Sequence, residues 1–178
     1  LRDAVAAAAR EYDLVVTTGG AANGDFDFNK PVVAELGELM MTTVNIRPGK
    51  AQTFGMVEGT PVFGLPGNPA AAYVGFQLLI RPALRTMQGY RFMDDPVVKA
   101  RLPADEMNRD PHRIYLRANL TRTAEGYEVT PAKNQSSGLF GPIQKTNCLA
   151  VMPEGTAPQP AGSIVDCLLL DIPEEVVL

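Results

Sequence analysis

The chain has little histidine, few cysteines and no excess of basic charge. His112 is the only histidine among 178 residues, which excludes histidine-rich metal sites and disfavours a Ser-His-Asp triad. Two cysteines, Cys148 and Cys167, are too few for a disulfide framework, and we expect them to be reduced and buried, as is usual in cytoplasmic proteins. The formal net charge of −4 argues against nucleic acid as a partner, because nucleic-acid-binding domains usually carry a basic patch.

Long apolar runs are also missing. No segment reaches the length needed to cross a bilayer, and the first residues lack a signal-peptide pattern, so we expect a cytoplasmic protein without a membrane partner. With 46% apolar and 20% charged residues, the composition is typical of a globular protein of one large or two small domains. Residues 1–10 resemble the middle of a helix without a cap, so we expect a longer parent polypeptide.

The first half of the chain alternates helical and strand patterns. Predicted helices lie at residues 1–10, 31–36 and 70–87, and predicted strands at 14–16, 42–46, 53–57 and 60–65. Glu58-Gly59 joins the last two strands as a hairpin turn, and Gly37 is placed to end the second helix. This order is typical of an α/β sheet with helices on its faces.

The second half has a different pattern. Asp94-Asp95-Pro96 marks a boundary, after which helical periodicity disappears. Short β-like runs at residues 114–116, 127–129, 148–152 and 164–170 are separated by Gly, Pro and Asn turns. This spacing predicts a small antiparallel barrel or sandwich.

Two glycine-rich loops follow predicted strands. The first glycine loop, residues 17–27, combines three glycines with two carboxylates, and the second glycine loop, residues 64–69, ends in Asn68-Pro69. Glycines let backbone N–H groups approach an anion closely, and ligands of α/β sheets bind beyond the carboxyl ends of the strands. Both loops are therefore predicted to face one phosphorylated ligand, although Asn68-Pro69 would also suit a simple helix start.

Charged residues near these loops allow two interpretations each. Asp25 and Asp27 either cap the following helix or contribute a carboxylate to Mg²⁺, which fills its shell with water and phosphate oxygens. Arg47 and Lys50 flank the Pro48-Gly49 turn, where they are either solvated surface charges or converge on an oxyanion.

These motifs together resemble the molybdopterin molybdenumtransferase family, which includes bacterial enzymes and the E domain of gephyrin. The matching segments, in the family's order, are residues 16–20 with 24–27, 47–50, 64–69, 81–84, 113–117, 134–138 and 149–155. The resemblance implies an α/β fold with a partial, three-layer molybdopterin-binding domain of the MogA-like type in residues 1–89. It implies a small C-terminal β-barrel domain in residues 90–178.

The implied reaction is insertion of molybdate into adenylylated molybdopterin (molybdopterin-AMP), with release of AMP and with Mg²⁺ as the divalent ion. By the resemblance, Asp27 is the metal candidate with Asp25 second, and Arg47 and Lys50 are the basic pair associated with molybdate. The resemblance assigns catalysis to Asp27, Lys50 and Arg47, and ligand binding to Gly19, Gly20, Gly24, Gly64, Gly67, Asn68, Arg113, Ser136 and Ser137.

The family's proteins have further N-terminal domains, so we expect this chain to be inactive alone. The resemblance also implies a homodimer and a functional partner in the molybdopterin adenylyltransferase. Two alternatives stay open: adenylyl transfer to molybdopterin by a related α/β domain, and a non-catalytic scaffold of the gephyrin kind.

Overall fold

The computed structural model describes residues 1–20, 28–107, 110–170 and 172. They form two compact units, and each has its own sheet. The first unit comprises Leu1–Asn45 and Gly49–Ile80, and the second comprises Ile46–Pro48 and Arg81–Leu178. The mixed α/β class that the sequence predicts is confirmed. No helix among the described residues is long and apolar enough to cross a membrane.

The first unit contains a four-stranded mixed sheet in the order β1-β5-β4-β2. Its strands are β1 (Val15–Thr18), β2 (Glu38–Thr43), β4 (Ala51–Val57) and β5 (Thr60–Leu65). β1 and β5 are parallel neighbours, whereas β4 runs antiparallel to both β5 and β2. Glu58 and Gly59 both have positive φ, at 51° and 85°, which confirms the predicted hairpin turn.

Helices of the first unit are α1 (Arg2–Glu11), α2 (Asn29–Leu36) and α3 (Pro69–Gly75), followed by a π-helical segment at Phe76–Ile80. The two N-terminal helices pack on the sheet through a small aliphatic core, made of Val5, Ala9, Val15, Val33, Val57 and Val62. α2 ends at Gly37 as predicted, but the reason is space: a Cβ there would lie 2.0 Å from the carbonyl oxygen of Met56.

The prediction of one continuous strand over residues 42–46 is wrong. β2 ends at Thr43, and Ile46–Arg47 forms a separate strand, β3, in the sheet of the second unit. The amide of Val44 leaves the strand direction to donate a hydrogen bond of 2.8 Å to the carbonyl oxygen of Lys50. The alternating pattern was correct for each piece, but alternation carries no information about which sheet a residue joins.

The second unit contains β3 with β6 (Val97–Arg101), β7 (Arg113–Thr123), β8 (Gly126–Pro131), β9 (Cys148–Met152) and β10 (Ile164–Leu169). The sheet order is β3-β7-β8-β6-β10-β9, and β7 also pairs with β9, so five strands are joined in a ring. Its core residues are Ala100, Leu102, Leu116, Ala118, Val129, Cys148, Ala150, Met152, Val165, Cys167 and Leu169. The four predicted β-like runs all correspond to strands; β6 and the short helix α5 (Gly141–Gln144) were not predicted.

Both cysteines are buried in this core and form no disulfide, as expected. The unit begins with α4 (Arg81–Met87), which an ion-pair cluster joins to the segment before β6. A single oxygen of the buried Asp95 carboxylate lies 2.9 Å from Arg85 Nη2 and 3.4 Å from Arg81 Nε. Buried charges need such partners, so this cluster fixes the segment that follows α4.

Candidate functional site

The two glycine loops meet at one edge of the first unit's sheet. β1 and β5 are parallel, so their carboxyl ends lie side by side and each leads into a loop. The amide of Gly19 donates a hydrogen bond of 3.0 Å to the carbonyl oxygen of Leu65. A Cβ placed on Gly67 would lie 3.4 Å from the Cα of Gly19. The expectation that the loops open at the same edge is therefore confirmed for their described residues.

Asn29, the first residue of α2, holds the first glycine loop in place. Its side chain is buried, with Oδ1 accepting a hydrogen bond of 3.0 Å from the Thr17 hydroxyl. Its Nδ2 donates one of 2.7 Å to the carbonyl oxygen of Gly19. Gly64 makes room for it, since a Cβ there would lie 3.2 Å from Nδ2. The sequence does not single out Asn29, whose only signal is an amide two residues before the predicted helix at residues 31–36.

The first glycine loop has the backbone that its glycines predict. Gly19 and Gly20 have positive φ, at 84° and 64°, which side chains with a Cβ rarely adopt. Gly24, Asp25 and Asp27 lie outside the described residues. Within the described part of the chain, no group of three or more His, Cys, Asp or Glu side chains could hold a metal ion.

The second glycine loop starts α3 where the sequence predicts. Asn68 is the N-cap residue and Pro69 the first helical residue, with the carbonyl oxygen of Asn68 accepting a 2.9 Å hydrogen bond from Ala72 N–H. The side chain of Asn68 makes no capping hydrogen bond and is exposed, as is Gly67, whereas Gly64 is buried. The second glycine loop is thus buried where it leaves β5 and exposed where it enters α3.

Lys50 is exposed at the end of the Pro48-Gly49 turn, which a buried side chain supports. Gln52, fully buried, donates a hydrogen bond of 2.9 Å from Nε2 to the carbonyl oxygen of Gly49. The amide fits only because Gly75 lacks a side chain: a Cβ there would lie 2.4 Å from Gln52 Oε1. The backbone beside Lys50 is therefore fixed from inside the first unit.

Arg47 belongs to the second unit, and its convergence with Lys50 on one ligand stays a prediction. Its Nε lies 3.1 Å from Oδ2 of Asp110, and about half of its side chain is exposed. Arg113, at the start of β7, is also half exposed, and its Nη2 lies 3.7 Å from Oε1 of Glu154. Both cations are therefore paired, but both remain open to solvent.

Ser136 and Ser137 lie in a loop that Arg117 holds, not Arg113. Arg117 is buried in β7 and donates a hydrogen bond of 3.3 Å from Nη2 to the carbonyl oxygen of Ser136. The side chain of Gln135 bonds both the N–H and the carbonyl oxygen of Arg117, at 3.1 and 2.8 Å. Burial lowers the pKa of the Arg117 guanidinium, which keeps its charge because arginine titrates far above neutral pH. Arg117 stood in the matching motif but was not singled out.

A sheet edge formed by two apposed glycine loops, followed along the chain by a separate β unit, defines the class: an α/β domain with a glycine-lined sheet edge and a β domain after it. Two protein-family models match in that order. Residues 1–86 match a probable molybdopterin binding domain, and residues 99–170 match the MoeA C-terminal region, domain IV. The chain belongs to the MoeA-type family.

Named relatives agree with this assignment. The chain is 36% identical over 174 residues to a molybdopterin molybdenumtransferase of Staphylococcus aureus strain COL, covering 96% of this chain and 42% of that protein. It is 34% identical over 180 residues to the protein of the same name from Staphylococcus epidermidis strain ATCC 12228, covering 99% and 43%. The chain thus spans about two fifths of the length of these relatives.

Solved structures share the fold. A molybdopterin biosynthesis MoeA protein from Pyrococcus horikoshii superposes with a TM-score of 0.77 at 29% identity, covering 94% of this chain and 40% of that one. A molybdenum cofactor biosynthesis protein from Pyrococcus furiosus superposes with a TM-score of 0.72 at 26% identity, covering 94% and 53%.

Proposed function

We propose that this chain is the molybdopterin-binding and C-terminal part of an enzyme that inserts molybdate into adenylylated molybdopterin, releasing AMP. The observation that carries the proposal is the apposition of the two glycine loops, with Gly19 bonded to Leu65 at the carboxyl edge of β1 and β5. The name shared by the Staphylococcus relatives supports the same reaction.

The backbone of the two loops is the proposed cradle for the phosphorylated ligand. Gly19, Gly20, Gly24, Gly64, Gly67 and Asn68 would present N–H groups to its anionic oxygens, because glycines allow a close approach. The Asn29 amide keeps the carbonyl oxygen of Gly19 engaged, so that this oxygen does not face the anion. The loop is therefore preorganised for a negative ligand.

Molybdate is a dianion that must approach another anion, so its site needs fixed positive charge. Lys50 and Arg47 are the proposed molybdate-binding cations, with Arg113, Ser136 and Ser137 as further ligands. The support is that the two cations flank one turn, that Gln52 fixes the backbone beside Lys50, and that both arginines are half exposed. Asp27, with Asp25 second, is the proposed holder of Mg²⁺, which would neutralise phosphate charge when bound.

Several finer features belong to the same proposal. We infer that the ring of five strands is a closed barrel, that the domains divide near residue 89, and that the α/β domain completes a three-layer MogA-like fold in the parent protein. We also infer that the parent protein is a cytoplasmic homodimer. It would receive adenylylated molybdopterin, the substrate of the proposed reaction, from the molybdopterin adenylyltransferase. Size and light scattering of the full-length protein test the dimer.

The test is molybdate-dependent release of AMP from adenylylated molybdopterin by the full-length parent. Lys50→Ala and Asp27→Asn are expected to lower the rate at least tenfold, because each removes a charge proposed to act on the reacting anions. Lys99→Ala is the matched control, since Lys99 is an exposed lysine on β6 paired with Asp166. Wild-type rates in the Lys50 and Asp27 variants would refute the residue assignment.

Adenylyl transfer is the second candidate, and the β unit argues against it. The match of residues 99–170 to the MoeA C-terminal region favours insertion, because the related adenylyltransferase domain normally lacks such a unit. Consumption of ATP with molybdopterin that is not adenylylated would favour transfer instead. A specific peptide partner captured by an inactive variant would favour a scaffold.

A further inference from the structure

A single carboxylate in the second unit lies between two basic side chains. Oδ2 of Asp110 is 3.1 Å from Nε of Arg47, and Oδ1 is in contact with Nδ1 of His112. The same Oδ1 accepts a hydrogen bond of 3.0 Å from the backbone N–H of His112. Asp110 thus uses one oxygen for the arginine and the other for the histidine.

The strand register makes this arrangement a consequence of the fold. β3 and β7 are parallel neighbours, with Ile46 opposite Arg113 and Arg47 opposite Ile114. His112 directly precedes β7, so β3 brings Arg47 to the residues around His112 although they are far apart in the sequence. A one-residue shift of register would move Arg47 to the other face of the strand and break the contact.

Hydrogen bonds keep the Asp110 carboxylate charged. The backbone N–H of His112, then its ring and the charge of Arg47, hold the pKa of Asp110 below its ordinary range. A carboxylate on Nδ1 fixes the orientation of the imidazole, and in the protonated ring, where both nitrogens are donors, Nε2–H is left to donate to an anionic partner. The His112 side chain is 15% exposed and that of Arg47 is 49% exposed, so both side chains retain some contact with solvent.

We propose that Asp110 is a positioning residue that orients Arg47 and His112 together toward a tetrahedral oxyanion. The inference rests on the proposed function, in which Arg47 binds molybdate, and adds His112 as a second donor from the same unit. Arginine has several rotatable bonds, so a fixed partner on Nε lowers the ordering cost of binding through the remaining N–H groups.

The negative charge of Asp110 makes the direction of the change in molybdate affinity informative when that charge is removed. A negative charge beside an anion site weakens anion binding by simple Coulomb interaction, so removing it should strengthen binding. A positioning role predicts the opposite, because loss of the carboxylate releases both basic side chains. Asp110→Asn separates the two, since the amide keeps the size of the side chain and loses its charge.

The experiment measures molybdate binding to the full-length parent by calorimetry at fixed ionic strength, and the KM values in the AMP-release assay. Asp110→Asn is expected to weaken molybdate binding at least tenfold and to raise the KM for molybdate, with the KM for adenylylated molybdopterin unchanged. General loss of structure would lower the fraction of active enzyme and hence the apparent kcat, without a selective rise in the KM for molybdate. Glu125→Gln, in the exposed β7–β8 turn, removes the same charge from the same unit and should change neither.

His112→Gln should weaken binding less than Asp110→Asn, because Arg47 keeps its ion pair with Asp110. Wild-type or stronger binding in Asp110→Asn would overturn the positioning role while leaving the proposed function intact. A wild-type protein that binds no molybdate and releases no AMP would overturn the proposed function, and the positioning role with it.

Discussion

The side-chain amide of Asn29 donates a hydrogen bond of 2.7 Å to the carbonyl oxygen of Gly19. This bond joins the start of α2 to the residue that follows β1, and the Thr17 hydroxyl donates a second hydrogen bond to the same side chain from within the strand. The loop's geometry thus depends on one buried amide as well as on its glycines.

Asn29→Ala is predicted to destabilise the fold by about 1–3 kcal/mol, because the carbonyl oxygen of Gly19 loses a partly buried hydrogen bond and Thr17 loses its 3.0 Å acceptor. Asn29→Asp is the sharper variant: it keeps an acceptor for Thr17 but cannot donate to Gly19. Urea unfolding measures both. Equal stability of wild type and Asn29→Asp would show that the Gly19 bond contributes nothing.

Gly75→Ala is predicted to destabilise by about 1–3 kcal/mol, because the new Cβ would overlap the buried amide of Gln52 at 2.4 Å. The same unfolding assay checks it. Gly138→Ala is the control, since a Cβ there meets nothing within 4 Å, and should change stability by no more than about 0.5 kcal/mol.

A double variant identifies the cause. Gln52→Ala removes the overlapping amide, so Gly75→Ala should cost much less in that background than in the wild type. Full additivity of the two changes would contradict the proposed overlap.

Asp95→Ala is predicted to cost about 3–5 kcal/mol, because it leaves the buried guanidinium of Arg85 without its ion-pair partner at 2.9 Å. Asp166→Ala breaks the exposed pair with Lys99 and should cost less than about 1 kcal/mol. Thermal and urea unfolding compare the two, and similar losses would refute a special role for the buried cluster.

The two thiols are predicted to be unreactive in the folded protein. The hydrogen bond with Cys167, and then burial, raise the pKa of Cys148, whereas the same hydrogen bond lowers the pKa of Cys167. Both residues are fully buried, so a reagent cannot reach either sulfur without opening of the core. A thiol reagent should label two cysteines in denaturant and react only slowly without it. Rapid labelling of the folded chain would contradict the buried core positions.

Local signals in the sequence were enough for several elements. Glu58-Gly59 between two apolar runs predicts the hairpin, and Asn68-Pro69 predicts the start of α3, because both features depend on neighbouring residues alone. The strand before the first glycine loop was also found, since a short apolar run followed by glycines needs no distant partner to be noticed.

Residues that act through distant contacts were missed. Asn29, Arg117 and Asp110 gain their partners from strand register and helix packing, which a single sequence does not display. The π-helical segment at Phe76–Ile80 was likewise absent from the predicted helix at 70–87. Asp25 and Asp27 lie outside the described residues, and their metal role stays a prediction.

In the proposed function, this chain carries the ligand site of a molybdate-inserting enzyme. The most direct measurement is AMP release from adenylylated molybdopterin by the full-length parent, with molybdate varied. We predict release that rises with molybdate and saturates, and that falls at least tenfold in Lys50→Ala. Release that does not depend on molybdate would contradict the proposed function, and release that is unchanged in Lys50→Ala would contradict the role of Lys50.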